Sequence, residues 1–307
     1  RRDGRRALTA ARARLAAAGV PPYTCRPMDA YDPPGDRSVV LISLVLTGIA
    51  VASLPTIPPL ALSVNVLGSP LGLAVDGRWL IGALVVALTA VGMDAIVRLE
   101  AGDDGPDTRF VATFWILPCL VALAAAIAVP RLYGRADGWA LQWVASMILL
   151  GALLTVVVAA ERHTIRLDDP HYRSARVGLN LATYSAALAL YAAIHGLHFR
   201  SLLSVPAVVL VTFPLALERR RSSGEALSGA WIHAGFVAVI LGQLTWALNL
   251  QGLSALRGGG ILLIAFYAVS GIAQQHLAGR LTRRVTLEYA STAVVGLVLV
   301  GVSAGLG

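Results

Sequence analysis

Residues 177–199 read VGLNLATYSAALALYAAIHGLHF, and this segment decides the fold because it is apolar enough for lipid yet carries a polar stripe. On a helix, at about 100° per residue, its larger polar side chains fall within about 60° of one another. They are Asn180, Tyr184, Tyr191, His195 and His198. Hydrocarbon offers such a stripe no hydrogen-bond partner, so the stripe must face protein or a wet cavity. We therefore expect this helix near the centre of a bundle.

Apolar segments of similar length recur on both sides of this helix. Hydrophobic residues make up 57% of the chain and charged residues only 14%, whereas a soluble domain carries roughly 25% charged residues. The pattern predicts an all-α fold, a polytopic transmembrane helix bundle of about nine spans. The predicted spans are residues 38–54, 79–97, 110–129, 138–160, 177–199, 201–217, 230–250, 259–278 and 285–306.

Proline and glycine interrupt this pattern after the first span. Residues 55–59, PTIPP, cannot continue a regular helix. Residues 60–75 are apolar but rich in turn signals, which indicates an extracytosolic loop packed onto, or dipping into, the membrane surface. We favour a capping hairpin over a re-entrant functional loop, because irregular backbone at depth must be buried in protein. Pro118 is expected to kink the third span.

The distribution of arginine predicts how the bundle is oriented. All 25 basic residues are arginine, and the net charge is +8. With the N-terminus inside and the spans alternating, only Arg78, Arg131, Arg135, Arg200 and Arg257 fall outside. This bias agrees with the positive-inside rule and places the N-terminus in the cytoplasm and the C-terminus outside the cytosol.

These features predict a domain organisation and a location. Residues 1–37 form a basic cytoplasmic N-terminal tail, and residues 38–307 form the nine-span transmembrane domain. Residues 1–19 lack an apolar core, so we expect no cleavable signal peptide there. The expected location is the bacterial cytoplasmic membrane, with several spans crossing it.

The composition also limits the chemistry. The positive charge is better explained by orientation and anionic headgroups than by nucleic acid, since no basic face with interleaved aromatic residues occurs. The absence of lysine excludes Schiff-base chemistry. Cys25 and Cys119 have no zinc spacing and are expected to be inert. We predict no cofactor, no metal and no nucleic-acid partner; the expected partners are membrane lipids and, for one hypothesis below, other membrane-protein subunits.

Polar side chains on the fifth, seventh and eighth predicted spans form candidate faces. Such residues are usually interhelical glue, and they can also line a polar substrate path. A haem ligand at His195 or His198 is less favoured, because no other histidine is predicted at that depth. Asp94 and Arg98 are four residues apart, which predicts a structural ion pair. The candidate polar-face residues are Asn180, Tyr184, Tyr191, His195, His198, Gln243, Trp246, Asn249, Tyr267 and Gln274.

A second candidate set lies on the predicted inner side. Histidines and carboxylates at one level could form a metal or phosphate-handling site. No spacing matches a ligand motif, and a loop joined by Arg–Asp pairs is favoured over such a site. The set consists of His163, Asp168, Asp169, His171, His233 and His276.

Several short phrases resemble a known family. They are LPTIP (54–58), LGSP (67–70), DDP (168–170) before LNL (179–181), GQLTWALN (242–249) and QQH (274–276). Together they resemble an uncharacterised family of bacterial multi-pass membrane proteins, over most of the chain after the tail. The resemblance implies a membrane architecture and no activity.

Three functions remain open from the sequence. The first is a non-enzymatic scaffold or accessory subunit of a bacterial membrane assembly, indicated by short loops, no catalytic motif and no deep charge. The second is a carrier or flippase for a lipid or other amphipathic molecule, with Asn180, Gln243, Asn249 and Gln274 lining one cavity. The third is a membrane-embedded transferase that uses the inner His/Asp cluster. The sequence does not decide whether the chain is an enzyme, and the missing motifs favour a non-enzymatic role.

Overall fold

The structure is a computed structural model. It describes residues 34–53, 59–66, 69–101, 113–133, 140–165, 170–197, 201–222 and 229–305. The chain divides into two compact units, Arg1–Asp36 and Arg37–Gly307. Of the first unit only residues 34–36 are described, so the predicted cytoplasmic tail lies almost wholly outside the described residues.

The described residues form nine α-helices and one two-stranded hairpin. In chain order they are α1 (Pro34–Ala52), β1 (Pro59–Val66), β2 (Ser69–Asp76), α2 (Gly77–Ala101), α3 (Ile116–Tyr133), α4 (Ala140–Ile165), α5 (Tyr172–Gly196), α6 (Ser201–Ser222), α7 (Ala230–Asn249), α8 (Ala255–Leu277) and α9 (Arg283–Gly305).

The helical class predicted from the sequence is confirmed, and each predicted span overlaps one described helix. Seven helices, α2 and α4 to α9, are long and apolar enough to cross a membrane. The apolar parts of α1 and α3, Arg37–Ala52 and Ile116–Pro130, are shorter. The count of nine crossings and the sides on which the termini lie therefore stay predictions.

Two details differ from the sequence-based expectations. Pro118 does not kink a helix, because α3 begins at Ile116 and the proline lies in its first turn. A first-turn N–H has no carbonyl partner within the helix, so the missing N–H of proline costs nothing there. The internal proline of α3 is Pro130.

The segment after α1 is a β-hairpin and not an irregular loop. β1 pairs antiparallel with β2, from Pro59 opposite Asp76 to Val66 opposite Ser69. An extended apolar segment beside a membrane must satisfy its backbone N–H and C=O groups internally, and strand pairing does so. A hairpin was expected here, but its regular strands were not, and its capping role stays a prediction.

Sequential helices pack antiparallel at several places. Leu41 and Gly48 of α1 approach Gly92 and Val85 of α2, respectively. Contacts also run in opposite directions between α6 and α7 and between α8 and α9, so these two pairs are antiparallel as well. Short connections make antiparallel neighbours the natural arrangement of such helices. The helix ends therefore gather into two layers, one at each end of the bundle.

Helix α5 links the two hydrophobic cores. One core is built from α1 to α5, with side chains such as Ile49, Leu154 and Leu179. The other is built from α3 and α5 to α8, with Tyr191 and Phe266 among its largest members. α5 packs against α3, α4, α6 and α8, as the polar stripe of residues 177–199 predicted. Other helices, including α3, have as many neighbours.

The outer surface of the bundle is strongly apolar. Large hydrophobic side chains are exposed on nearly every helix, among them Leu84, Leu141, Leu210 and Ile232. Soluble proteins rarely expose apolar patches of this extent. Lipid would cover such a surface without cost, because its hydrocarbon chains are as apolar as these side chains.

Candidate functional site

The most unusual feature of the interior is a buried ion cluster between α4 and α6. The guanidinium of Arg221 donates to Glu161 at 2.5 Å and to Glu218 at 2.7 Å. Both carboxylate side chains have 0% exposure and the arginine side chain only 8%. A buried charge in a membrane bundle costs free energy unless it is paired, so these three residues are the first candidate site.

The spacing of residues along α6 explains why two of the three members of this cluster meet. Glu218 and Arg221 are three residues apart on α6, which places them on one helix face. The last turn of α6 also holds Arg219 and Arg220, and cations are favoured there because a helix C-terminus carries partial negative charge. Glu161 lies near the C-terminus of α4, where a carboxylate is unfavourable by the same argument. Arg221 offsets that cost.

An aromatic ring completes the environment of Arg221. Its guanidinium carbon lies 4.4 Å from the centre of the Phe114 ring. Phe114 precedes α3 and is buried. A guanidinium over an aromatic face gains a cation–π attraction that strengthens as water is removed. The cluster thus joins α4, α6 and the start of α3 at one end of the bundle.

Arg219 reaches a row of tyrosines beside the ion cluster. It donates to the Tyr184 hydroxyl of α5 and lies 5.0 Å from the centre of that ring. Tyr184 also contacts Tyr267 of α8, with ring centres 5.9 Å apart. Tyr267 in turn contacts Tyr289 of α9 at 5.3 Å. Three tyrosine rings and one guanidinium therefore connect α5, α6, α8 and α9.

The other polar residues of α5 are used in packing. The Tyr191 hydroxyl forms a buried 2.9 Å hydrogen bond with the Thr212 hydroxyl of α6. His195 is buried and lies against Gly258 of α8. Asn180 is half-buried and interacts with another group of the protein. His198 lies outside the described residues. The stripe on α5 therefore faces protein, as hydrocarbon chemistry requires.

A close helix crossing explains the glycines of α8. A Cβ atom on Gly259 would lie 2.6 Å from the backbone nitrogen of Ala192 on α5. One on Gly258 would lie within 2.6 Å of the His195 ring nitrogen Nε2. Small residues allow two helix backbones to approach in this way.

The predicted polar residues of α7 do not share one location. Asn249 donates to the hydroxyls of Ser201 and Ser204 on α6, at 3.2 and 2.7 Å. Gln243 and Trp246 are exposed on the outer surface of the same helix. Gln274 lies half-buried near the far end of α8. The structure does not bring Asn180, Gln243, Asn249 and Gln274 together around one cavity.

The predicted inner-face cluster is also divided. The rings of His163 and His171 lie 5.4 Å apart. His233 is buried at the start of α7, whereas His276 is exposed. Asp168 and Asp169 lie outside the described residues. Within the ranges that the structure describes, no three His, Cys, Asp or Glu side chains are grouped to hold a metal ion.

Helix α9 carries a further polar group, on its outer face. Its neighbour in the bundle is α8, through Tyr289, Gly296 and Val300. Glu288 is exposed, about 100° around the helix from Tyr289. Salt bridges in the described part of the chain include none to Glu288. This carboxylate belongs to no interior cluster.

A protein-family model described as "Protein of unknown function (DUF5656)" matches residues 57–303. The chain belongs to this family. The DUF5656 match spans the hairpin and helices α2 to α8 with most of α9, so the ion cluster and the tyrosine row both lie inside it. No curated protein and no solved structure matches the chain. The predicted resemblance to an uncharacterised family is confirmed, and the bacterial origin stays a prediction.

The ion cluster of this DUF5656 protein was not among the sites predicted from its sequence. The fourth span was predicted to end at residue 160, which leaves Glu161 outside it, whereas α4 continues to Ile165. The sixth span was predicted to end at residue 217, which likewise leaves out Glu218 and Arg221, although α6 continues to Ser222. The spacing of Glu218 and Arg221 was a usable signal, while the pairing across α4 and α6 was not visible in the sequence.

Proposed function

We propose that the chain is an integral membrane protein that acts as a non-enzymatic scaffold or accessory subunit of a bacterial cytoplasmic-membrane assembly. The observation that carries this proposal is the outer face of α9. This helix is apolar enough to cross a membrane, and none of that span is buried inside the bundle. Among the described helices α9 packs mainly against α8, and a helix with so much exposed surface is suited to joining a second protein.

Glu288 adds a charged group to that face, in the second turn of α9. Ionisable residues within membrane helices almost always face a bundle interior or a cavity, because hydrocarbon solvates charge poorly. Glu288 instead lies on the exposed side of a helix that begins at Arg283. Ser291 and Thr292 are exposed beside it. A partner helix would convert this outer face into an interior one.

The buried charges support a structural role for the rest of the bundle. Arg221 donates hydrogen bonds to two carboxylates, and the Asn249 amide donates to two serine hydroxyls. The Arg219 guanidinium donates a hydrogen bond to the Tyr184 hydroxyl. Polar groups paired within a packed core favour one arrangement of the helices, although Glu161 Oε1 itself accepts no hydrogen bond. A rigid body with an open outer helix has the properties expected of a scaffold.

The test is a purification of the protein from its source membrane in a mild detergent, followed by a native gel and mass spectrometry of the band. We expect one band of high mass that contains stoichiometric membrane-protein partners. The control is the same purification after a harsher detergent, which should release the 32.1 kDa chain. Recovery of the lone chain in several mild detergents would overturn the proposal.

A further inference from the structure

The row of tyrosines beside Arg219 carries hydroxyl groups whose protons have no acceptor in the described part of the chain. Arg219 of α6 donates to the Tyr184 hydroxyl, which leaves that hydroxyl its own proton to donate. The hydroxyls of Tyr267 and Tyr289 lie close enough to Arg219 to interact with its charge. Among the residues that the structure describes, neither of these two hydroxyls forms a hydrogen bond. Three O–H donors from α5, α8 and α9 therefore lie near one guanidinium.

Packing holds the rings of this row in place. The Tyr184 ring meets the Phe266 ring edge-on, with ring centres 6.1 Å apart. The Tyr289 ring lies against α8 at Gly271, where a Cβ atom would overlap it. Rings fixed in this way lose little conformational freedom when a ligand binds their hydroxyls. The donors are therefore arranged before a ligand binds.

The chemistry of the row fits an anion with several acceptor oxygens. An O–H group without an acceptor is costly in a membrane, and a guanidinium there is stabilised by negative charge. Arginine binds phosphate through charge-assisted hydrogen bonds. A phosphate group offers enough oxygen lone pairs to accept from Arg219 and from all three tyrosines. No neutral acceptor would also supply the negative charge.

The row begins at the level where lipid phosphates are found. At 1.5 Å per residue, Arg219 lies about 4.5 Å along the axis from the end of α6, and Tyr289 about 9 Å from Arg283, which begins α9. Arginines at both helix ends mark the boundary between hydrocarbon and headgroups. Tyr184 and Tyr267 belong to deeper turns, and the long Arg219 side chain reaches Tyr184. All four side chains of the row are half-buried, so the row reaches the surface of the bundle.

We propose that the Arg219 guanidinium and the three tyrosine hydroxyls of this row bind the phosphate group of a phospholipid. The lipid comes from the leaflet at this end of the bundle, which is the end predicted to face the cytoplasm, where anionic lipids are concentrated. A lipid is favoured over free phosphate because the row opens on a surface that the membrane covers. The site goes beyond the scaffold role and does not depend on it.

Native mass spectrometry of the intact chain in detergent tests the ligand. Dioleoyl phosphatidylglycerol is compared with dioleoylglycerol, which lacks the phosphate, and with inorganic phosphate, which lacks the acyl chains. We expect the chain to bind one phosphatidylglycerol about tenfold more tightly than either of the others. Inorganic phosphate bound as tightly as the phospholipid would overturn the lipid assignment. Dioleoylglycerol bound as tightly would overturn the phosphate contact.

Substitutions of tyrosine by phenylalanine test the contacts. Tyr267→Phe and Tyr289→Phe remove only hydroxyls that form no hydrogen bond among the described residues, so neither should disturb folding, which gel filtration checks. We expect each to lower the affinity for phosphatidylglycerol about tenfold, the loss of one hydrogen bond to a charged group. The matched control is Tyr172→Phe, since Tyr172 of α5 also lies beside an arginine, Arg176. Its affinity should be unchanged.

Arg219→Gln removes the charge and keeps an N–H donor, and it should lower the affinity at least as much as either tyrosine variant. Wild-type affinity in both tyrosine variants would overturn the proposal and assign the row to helix packing. An equal loss in Tyr172→Phe would also overturn it, because any tyrosine beside an arginine would then attract lipid. Neither result bears on partner subunits in the native gel, so failure of this site leaves the scaffold role standing.

Discussion

Arg221 in α6 and Glu161 in α4 form a buried ion pair across 60 residues of sequence, with 2.5 Å between Nη2 and Oε2. The same nitrogen lies 2.7 Å from a Glu218 oxygen. One guanidinium therefore neutralises carboxylates from two helices. Removing it leaves both acids buried without a cation, which is the costliest change available at this site.

We expect Arg221→Leu to lower the free energy of unfolding by roughly 3–5 kcal/mol, the cost of leaving a buried charge unpaired. Glu161→Leu should cost less, because Arg221 keeps Glu218. Replacing all three residues by leucine should recover most of the loss, since apolar groups need no partner. Unfolding curves in mixed micelles with increasing dodecyl sulfate measure each value.

The exposed pair Asp94 and Arg98 provides the control for the ion cluster. Its 2.7 Å hydrogen bond joins residues four apart on α2 and confirms the predicted pairing. Because both side chains are well exposed, Arg98→Leu should change unfolding little. Equal losses for Arg98→Leu and Arg221→Leu would contradict the importance assigned to burial.

Asn249 and Gln243 carry the same amide group on one helix but in different surroundings. Asn249→Leu removes two hydrogen bonds to α6 and should destabilise the protein by about 0.6–1.7 kcal/mol. Gln243→Leu removes an exposed amide and should be neutral or stabilising in lipid. The same unfolding assay measures both variants, and a larger loss for Gln243→Leu than for Asn249→Leu would contradict the surroundings assigned to the two amides.

Gly259 tests the close approach of α5 and α8. In Gly259→Ala the new methyl group would lie 2.6 Å from a backbone atom of Ala192, and overpacking of this kind costs about 1–3 kcal/mol. Gly235→Ala on α7 is the matched control. A Cβ there has no neighbour within 4 Å, so better helix propensity should stabilise it by about 0.5–1 kcal/mol. Equal effects at both positions would argue against the crossing.

The predicted orientation can be tested with single cysteines at the two ends of α8. Ser254 and Thr282 are exposed and flank this helix. In a background without native Cys25 and Cys119, Ser254→Cys should react with a membrane-impermeant maleimide on intact cells. Thr282→Cys should react only after the membrane is opened. The reverse pattern would invert the predicted orientation of α8 in the membrane.

The helices of this protein could be predicted from its sequence because each depends on one continuous run of apolar residues. About 20 apolar residues bounded by arginine, glycine or proline form a helix in lipid wherever they pack. The polar stripe of α5 also predicted correctly that its polar face would pack against other helices, although the opposite face, with Val177 and Leu181, is exposed. The strands of the hairpin were not predicted, because the prolines and turn residues were given more weight than the period-2 pattern. That pattern is present: Leu60, Leu62, Val64 and Val66 alternate with small or polar residues in β1, and Leu71, Leu73 and Val75 do so in β2.

Only the tertiary structure decided which polar residues meet. The spacing of Glu218 and Arg221 places them on one face of α6, but nothing in the sequence indicates that Glu161 completes the cluster. Likewise Asn249 faces α6 while Gln243 on the same helix faces outward. Helix formation is a local property of the chain, whereas the rotation and neighbours of each helix depend on the packing of the whole bundle.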